Sequence, residues 1–188
     1  MRIIAGKFKN HNIAMVPSDT TRETSDKVRG AVFNSLASKV IDAVVLDLFA
    51  GSGSYGLEAI SRGAKEITFV DSHPLAIKTL GQNIAKLKVN EQCNVIPNDY
   101  KKALETIVFN QLTYDLIFID PPYNFSKHNE LLEKLELISN QDSTLIIEVQ
   151  KNTVIDFDQT NYTCYKETVY GIKKILYVSK KKNRKKYV

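Results

Sequence analysis

The residues best suited to chemistry follow an apolar run, 114–119, and form the tetrapeptide Asp120-Pro121-Pro122-Tyr123. The two prolines fix the backbone φ angle and lack amide hydrogens, so nearby carbonyl oxygens are left without local donors. The Asp120 carboxylate and a main-chain oxygen near Pro121 could accept both N–H groups of an exocyclic base amine and so make its nitrogen nucleophilic. The Tyr123 ring offers a stacking face for an extruded base. The tetrapeptide therefore predicts group transfer to an amino nitrogen, and this chemistry requires no metal.

A second segment, residues 47–56, has the spacing of a loop that approaches a ligand. Gly51, Gly53 and Gly56 match G-x-G-x-x-G between an apolar run and a helical segment, and glycine permits close approach of the backbone. Asp71 lies twenty residues after Gly51, at the end of the next apolar run. A carboxylate there can accept both hydroxyl hydrogens of a ribose. This arrangement fits any adenosine cofactor, including a nicotinamide dinucleotide.

Asp47, directly ahead of this loop, favours S-adenosylmethionine over a dinucleotide. A carboxylate at that position would repel a pyrophosphate but can receive the ammonium group of a methionine moiety. The pattern D-x-F-x-G-x-G resembles the first motif of the class I methyltransferases, and Asp-Pro-Pro-Tyr resembles the fourth motif of the amino-methyltransferases. The first resemblance places Asp99 near the adenine edge. The predicted cofactor site comprises Asp47, Phe49, Ala50, Gly51, Ser52, Gly53, Asp71 and Asp99.

An alternation of apolar runs and helical segments must position these two loops. Five runs predict buried strands: residues 44–49, 66–71, 94–97, 115–120 and 143–149. Such alternation predicts a parallel sheet, which binds its ligand beyond the carboxyl ends of its strands. An antiparallel hairpin is predicted from two β runs, residues 162–169 and 172–178, which are joined through Tyr170-Gly171. The predicted fold is α/β and Rossmann-like, with a mostly parallel seven-stranded sheet and helices on both faces.

Length and composition limit the possible classes of protein. The 188 residues fit one compact domain, and no apolar run approaches the roughly 18 residues that cross a bilayer, so we expect a soluble, cytoplasmic protein without membrane contacts. Cys93 and Cys164 have no ligand neighbours in sequence and give a metal site or disulfide almost no support. The net charge of +5 is concentrated at the two ends of the chain. Such a distribution suits a polyanionic partner, although a solvated basic tail is equally consistent with it.

The N-terminal sequence narrows the resemblance to one family. The sequence resembles the bacterial small-subunit (16S) ribosomal RNA guanine-N2 methyltransferases at residues 2–8, at residues 21–29 and at Phe33-Asn34. This resemblance spans almost the whole chain. It implies methylation of one guanine, unstacked into the pocket, in small-subunit rRNA or a partly assembled 30S subunit. Glu23 and Gly30 depart from the family pattern, which usually has Pro and Glu there. Both departures concern the shape of a loop.

The resemblance also suggests how the chain is organised. Residues 2–9 and 12–16 predict β structure and residues 25–39 a helix, so we expect an RNA-binding appendage over 1–40, a methyltransferase domain over 41–179 and a basic tail over 180–188. The predicted phosphate contacts are Arg2, Lys7, Arg22, Lys27 and Arg29. As an alternative, these residues form a solvated face.

The central sheet alone leaves the nucleic acid open, because enzymes that methylate adenine N6, cytosine N4 and guanine N2 share this motif order. A separate target-recognition region, which sequence-specific DNA methyltransferases usually carry, has no room in this chain, and this favours a structured RNA. A DNA adenine-N6 methyltransferase, an NAD-dependent oxidoreductase and a binding module with a vestigial pocket remain alternatives. We expect a monomer.

Overall fold

A single seven-stranded sheet organises the protein, whose computed structural model describes residues 1–17 and 24–182. The strands are β1 (Val44–Leu48), β2 (Glu66–Val70), β3 (Cys93–Ile96), β4 (Tyr114–Ile119), β5 (Ser139–Gln150), β6 (Tyr162–Tyr170) and β7 (Lys173–Lys180). The α-helices are α1 (Asp26–Leu36), α2 (Ser54–Ser61), α3 (Pro74–Leu87), α4 (Tyr100–Phe109) and α5 (His128–Glu136). The predicted α/β fold is confirmed.

The order of the strands creates a crevice at the middle of the sheet. The sheet runs β3-β2-β1-β4-β5-β7-β6, with parallel pairing from β3 to β5 and antiparallel pairing of β7 with both β5 and β6. The chain moves outward from β1 to β3 and then returns to place β4 on the other side of β1. Ligands of open α/β sheets bind where the order reverses in this way, beyond the strands' carboxyl ends. Here that position lies between the ends of β1 and β4.

The N-terminal segment differs from the predicted β structure. Within residues 1–17 the one β contact is an isolated antiparallel bridge between Arg2 and Asn12. The amides of Ile4 and Ala5 donate instead to the Glu58 carboxylate on α2, at 2.7 and 3.1 Å. Main-chain hydrogen bonds also join Ile3 to His11 and Ile13 to Met1 within the segment. The bonds to Glu58 attach the segment to α2.

Two further boundaries were predicted incorrectly. The first helix ends at Leu36 and continues as a short 3₁₀ turn, Ala37–Val40, in which Ala37 has a φ of +47°. Strand β5 begins at Ser139, four residues before the predicted start. Its first residues are polar, but Ser139 already pairs with Tyr114 of β4. A pattern based on apolar residues misses both features.

Hydrophobic clusters cover the two faces of the sheet. The cluster on one face includes Val45 of β1 and Phe118 of β4, and it also takes in Ile3, Ile13 and Phe33 from the N-terminal forty residues. The N-terminal region therefore shares the core of the sheet. Among the described residues no helix is long and apolar enough to cross a membrane. The two cysteines are free and partly buried.

Candidate active site

The tetrapeptide lies at the carboxyl end of β4, beside the middle of the sheet. Asp120 follows Ile119 directly, and a small pocket beyond it is lined by Pro121, Pro122, Tyr123, Phe125, His128 and Lys173 among others. Tyr123 has 47% of its surface exposed, and its main-chain oxygen accepts a hydrogen bond from the Gln150 side chain at 3.2 Å. The Lys173 ammonium lies 5.6 Å from the centre of the Tyr123 ring. The main chain of Tyr123 is therefore held by a hydrogen bond, while its ring remains accessible.

A network of polar side chains lies on the buried side of Asp120. Glu148, on β5, is almost completely buried, and its Oε2 atom accepts hydrogen bonds from Thr24 at 2.7 Å and from Tyr55 at 3.1 Å. Its Oε1 atom forms an ion pair with the Lys173 ammonium. The Thr24 hydroxyl oxygen also lies 3.4 Å from Asp120 Oδ2. Asp120 thus has a second carboxylate close behind it, with a hydroxyl between the two.

The surroundings of Asp120 act on its ionisation in opposite directions. Burial and the negative charge of Glu148 raise the pKa of the Asp120 carboxyl well above its ordinary value. The positive charge of Lys173 and the hydrogen bond with Thr24 act to lower it. Burial alone would lower the pKa of Lys173, but its interactions with Asp120 and Glu148 raise it. The site therefore depends on the balance between one ammonium group and two carboxyl groups.

The glycine loop joins β1 to α2 at the same end of the sheet. The Gly51 amide donates to Asp71 Oδ2 at 2.8 Å, and Asp71 Oδ1 accepts from the His73 amide at 2.8 Å. Asp47 is buried, and its carboxylate accepts from the Gly56 amide at 3.0 Å. Each carboxylate oxygen can accept more than one hydrogen bond. Both acids thus shape the loop, and Asp71 retains acceptor capacity.

Two glycines of the loop have different surroundings. Gly51 has a φ of +57°, and a Cβ atom built on it would meet nothing within 4 Å. A Cβ on Gly56 would lie 2.1 Å from Ile67 Cδ1 and 2.3 Å from Phe69 Cε1. Gly56 therefore allows α2 to pack against β2, whereas Gly51 faces open space beside Asp71. The open space at Gly51 fits a ligand that touches the backbone.

The other predicted cofactor residues lie on or near the loop. Ala50 and Ser52 are buried, Gly53 precedes α2, and Phe49 has a φ of +75°. Asp99 caps α4 by accepting from the Lys101 amide at 2.9 Å, and it lies on the surface. Asp99 therefore serves as the N-cap of α4.

The cofactor loop and the tetrapeptide also meet through aromatic side chains. The Phe49 ring lies 5.3 Å from that of Tyr100 and 5.7 Å from that of Phe125, and Phe125 contacts His128 with ring centres 5.0 Å apart. Phe49 belongs to the glycine loop, Tyr100 follows Asp99, and Phe125 follows the tetrapeptide. These contacts make the two predicted loops parts of one site.

The predicted RNA-binding residues separate into three groups. Lys7 and Lys27 are exposed, and the Arg2 side chain is 62% exposed, with an ion pair to Asp26 at 3.4 Å. Arg22 lies outside the described residues. The prediction for Arg29 is wrong, because its side chain is fully buried.

Arg29 has structural partners instead of a phosphate. Its guanidinium donates to the main-chain oxygen of Arg2 at 2.5 Å and to Asp26 at 3.0 Å, and its Nε atom lies 3.8 Å from Glu58. Arg29 therefore fixes the N-terminal segment to α1 and α2. Its position in a short basic sequence gave no sign of this burial.

Several residues of the site were not predicted: Thr24, Tyr55, Phe125, His128, Glu148 and Lys173. Glu148 had the clearest sign in the sequence, since it interrupts an apolar strand, and an isolated charge in a buried strand requires partners. Those partners lie up to 124 residues away along the chain.

Comparison with known proteins shows the family of the chain. Residues 1–179 match the family described as Conserved hypothetical protein 95. The ribosomal RNA small subunit methyltransferase D of Haemophilus influenzae is 32% identical over 92% of this chain and 90% of its own. Its Escherichia coli counterpart is 31% identical over 91% of this chain and 85% of its own. The chain belongs to this family of methyltransferases.

The solved structures agree with the assignment at the level of the fold. The Escherichia coli methyltransferase yhhF superposes with a TM-score of 0.83 and 27% identity, covering 96% of this chain and 98% of that one. In the present chain the glycine loop and the Asp-Pro-Pro-Tyr segment lie where the strand order reverses, which is the usual place of a ligand in an open α/β sheet. No cluster of His, Cys, Asp or Glu with the arrangement of a metal site occurs within residues 1–17 and 24–182.

Proposed function

We propose that this methyltransferase moves a methyl group from S-adenosylmethionine to the exocyclic N2 nitrogen of one guanine in small-subunit ribosomal RNA. The observation that carries the proposal is the parallel pairing of β1 with β4, in which Asp47 is the register partner of Phe118 and Leu48 that of Ile119. This register brings the glycine loop and the Asp-Pro-Pro-Tyr segment together at one end of the sheet. A donor and an acceptor bound by these two loops would be neighbours.

The residues of the glycine loop fit the methyl donor. The open space at Gly51 would accept a ligand against the backbone, and Asp71 beside it has acceptor capacity for ribose hydroxyls. Asp47 lies at the buried base of the loop, where a carboxylate suits an ammonium group. S-adenosylmethionine, when bound, supplies a methyl group on a positively charged sulfur. The chain itself has to bind, align and activate the acceptor.

The tetrapeptide would bind and activate the acceptor. The Asp120 carboxylate and a main-chain oxygen near Pro121 would accept the two N–H groups of the amine, directing its lone pair toward the donor. Tyr123 presents an exposed ring on which the extruded base would stack. These roles require the base to leave its own stack, which is least costly in a single-stranded loop of RNA.

The nature of the substrate is supported by the relatives and by surface charge. Both curated relatives described above are named as methyltransferases of small-subunit ribosomal RNA. Arg2, Lys7 and Lys27 are exposed on the N-terminal side and would contact phosphates. We infer that the enzyme acts as a monomer, on free rRNA or on a partly assembled 30S subunit.

A methyl-transfer assay with several substrates tests the proposal. The full chain is incubated with S-adenosylmethionine and with free small-subunit rRNA, small subunits lacking the modification, or duplex DNA. The expected product is N2-methylguanosine at one position of the rRNA. Formation of N6-methyladenine in DNA would overturn the RNA assignment. Calorimetry with S-adenosylhomocysteine and NAD distinguishes a methyltransferase site from a dinucleotide site.

A further inference from the structure

We propose that Lys173 is a positioning residue for methyl transfer, which keeps the Asp120 carboxylate charged and available to the amine by pairing with the buried Glu148. The inference rests on the proposed function, because it concerns how the acceptor is activated. Lys173 is on the C-terminal hairpin, far along the chain from both loops. Neither of the two sequence motifs includes it.

The first step is the packing of two carboxyl groups. Asp120 ends β4 and Glu148 lies near the end of the neighbouring strand β5, and Thr24 Oγ1 lies within 3.4 Å of Asp120 Oδ2 and 2.7 Å of Glu148 Oε2. Two carboxylates so close in a buried site resist being charged together. A protonated Asp120 would have one acceptor oxygen fewer for the amine. The site therefore needs a compensating positive charge.

The second step is the location of that charge. The Lys173 ammonium is paired with Glu148 Oε1, and it also interacts electrostatically with Asp120. Only 19% of the Lys173 side chain is exposed, so water screens these interactions less than it screens a surface ion pair. The ammonium also lies by the Tyr123 ring, at the edge of the pocket. One cation thus faces both carboxyl groups and the expected position of the base.

The remaining groups around Asp120 do not supply this compensation. Within residues 1–17 and 24–182 they include no second ammonium or guanidinium group: Asp47 on β1, Tyr55 on α2, Thr24 before α1 and His128 on α5. Asp47 raises the pKa of Asp120 further, and burial lowers the pKa of His128 and favours its neutral form. Among the described residues that act on Asp120, Lys173 is the basic side chain that opposes these effects.

The inference predicts how the rate of transfer depends on pH. Methyl transfer requires ionised Asp120, so the rate falls below the pKa of that carboxyl. A Lys173→Met variant removes the charge at similar length and should move the acid limb to higher pH, by roughly one unit or more. Glu148→Gln removes the competing negative charge and should move the limb to lower pH. The double variant Glu148→Gln/Lys173→Met should return the limb close to that of the wild type.

The test is a single-turnover pH profile for the four proteins, with the full chain and rRNA as substrate. Calorimetric affinity for S-adenosylhomocysteine checks that each variant is folded around the glycine loop. A loss of rate in Lys173→Met that is uniform across pH, with an unmoved limb, would overturn the inference. The inference would also be overturned if the acid limb of the double variant coincided with that of Lys173→Met.

A second readout separates this inference from the proposed function. The Asp120 carboxyl carbon can be followed by NMR titration in ¹³C-labelled protein without any RNA, with Asp120→Asn identifying the resonance. The titration midpoint should rise in Lys173→Met and fall in Glu148→Gln. If wild-type protein methylates no rRNA but these midpoints move, the proposed function fails alone. If rRNA is methylated and the midpoints stay fixed, Lys173 does not act in this way.

Discussion

Asp120 and Tyr123 are neighbours in sequence, but their surroundings differ. Asp120 is bounded on its inner side by Thr24 and Glu148, whereas Tyr123 is half exposed, with its main-chain oxygen bound by Gln150. The Asp120 carboxylate is suited to holding the amine during methyl transfer, and the Tyr123 ring is suited to holding the base before transfer begins. The loss of either one should therefore affect a different stage of the reaction.

Substitution of Asp120 by Ala should lower the single-turnover rate of methyl transfer about 10²-fold or more, the range typical of lost positioning and proton-handling groups. Affinity for RNA should change little, because phosphate contacts elsewhere supply most of the binding. Near-normal transfer by this variant would disprove the proposed mechanism.

Tyr123 offers the complementary experiment with a matched pair of variants. Tyr123→Ala loses the stacking face and should impair capture of the base, a loss of about 1–3 kcal/mol. Tyr123→Phe keeps the ring and should remain substantially active. Rates measured over a range of enzyme concentrations separate capture from transfer. Equal losses in the two variants would assign the function to the hydroxyl group instead.

At the scale of elements, the loop from β1 to α2 combines a ligand site with a packing contact. Gly51 faces open space, and Gly56 allows α2 to lie against Ile67 and Phe69 of β2. The same glycine motif thus serves binding at one position and stability at another. Substitution by alanine separates the two roles, because a methyl group added at Gly56 meets packed side chains, whereas one added at Gly51 meets no protein atom within 4 Å.

Gly51→Ala should weaken binding of S-adenosylhomocysteine at least tenfold while lowering the free energy of unfolding by only about 1–2 kcal/mol, the cost of a left-handed residue. Gly56→Ala should instead destabilise the fold, by about 1–3 kcal/mol, since its methyl group meets a packed core. Calorimetry and urea denaturation measure the two effects. The reverse pattern would place the ligand elsewhere.

Helix α2 also binds the N-terminal segment, through Glu58. Its buried carboxylate accepts from the amides of Ile4 and Ala5 and from Arg62 Nε at 2.6 Å, and it faces Arg29. These bonds attach the segment to the body of the protein. This contact also explains the burial of Arg29.

Replacement of Glu58 by Ala should lower the free energy of unfolding by about 3–5 kcal/mol, because it removes a buried carboxylate on which several donors depend. The amides of Ile4 and Ala5 lose their acceptor, and the buried Arg29 loses one of its two ionic partners. Glu105, exposed on α4, provides the matched control, and Glu105→Ala should change stability by less than about 0.5 kcal/mol. Urea denaturation of both variants is the measurement. Equal stabilities would show that Glu58 does not anchor the segment.

At the scale of the whole molecule, the net positive charge comes from the two ends of the chain. Residues 31–179 carry 14 Lys and Arg against 18 Asp and Glu, whereas residues 180–188 carry six basic residues and no acid. Two of those six have structural partners, since Lys180 donates to the oxygens of Glu136 and Ser139 and Lys181 to that of Thr160. Lys182, Arg184, Lys185 and Lys186 follow these two residues in the sequence.

Truncation after Lys182 removes Arg184, Lys185 and Lys186, which lie outside the described residues. If each neutralises one phosphate, the slope of log affinity for RNA against log salt should become shallower by about 2. Filter binding from low to moderate salt gives this slope. Identical slopes for the full and truncated chains would assign the segment to solubility, and unchanged thermal stability is the control for folding.

The sequence by itself determined the features that depend on local residue types. Glycines at fixed spacing after an apolar run, and two prolines closing another, restrict the backbone wherever they occur. The alternation of apolar runs with helical segments then determined the parallel sheet, because a parallel strand needs a crossover before it. The Asp-Pro-Pro-Tyr segment and the glycine loop were therefore predicted to end strands of that sheet, as they do.

Only the tertiary structure decided which distant side chains surround those loops. Thr24, Glu148 and Lys173 meet at Asp120 because α1, β5 and β7 converge there, and no local pattern encodes a contact across 124 residues. The same reason applies to Arg29, which looked like a surface cation. Its ionic partners are Asp26 in its own helix and Glu58 on another helix, and its guanidinium also donates to the main-chain oxygen of Arg2. The cost of burying the charge is offset only where these groups come together.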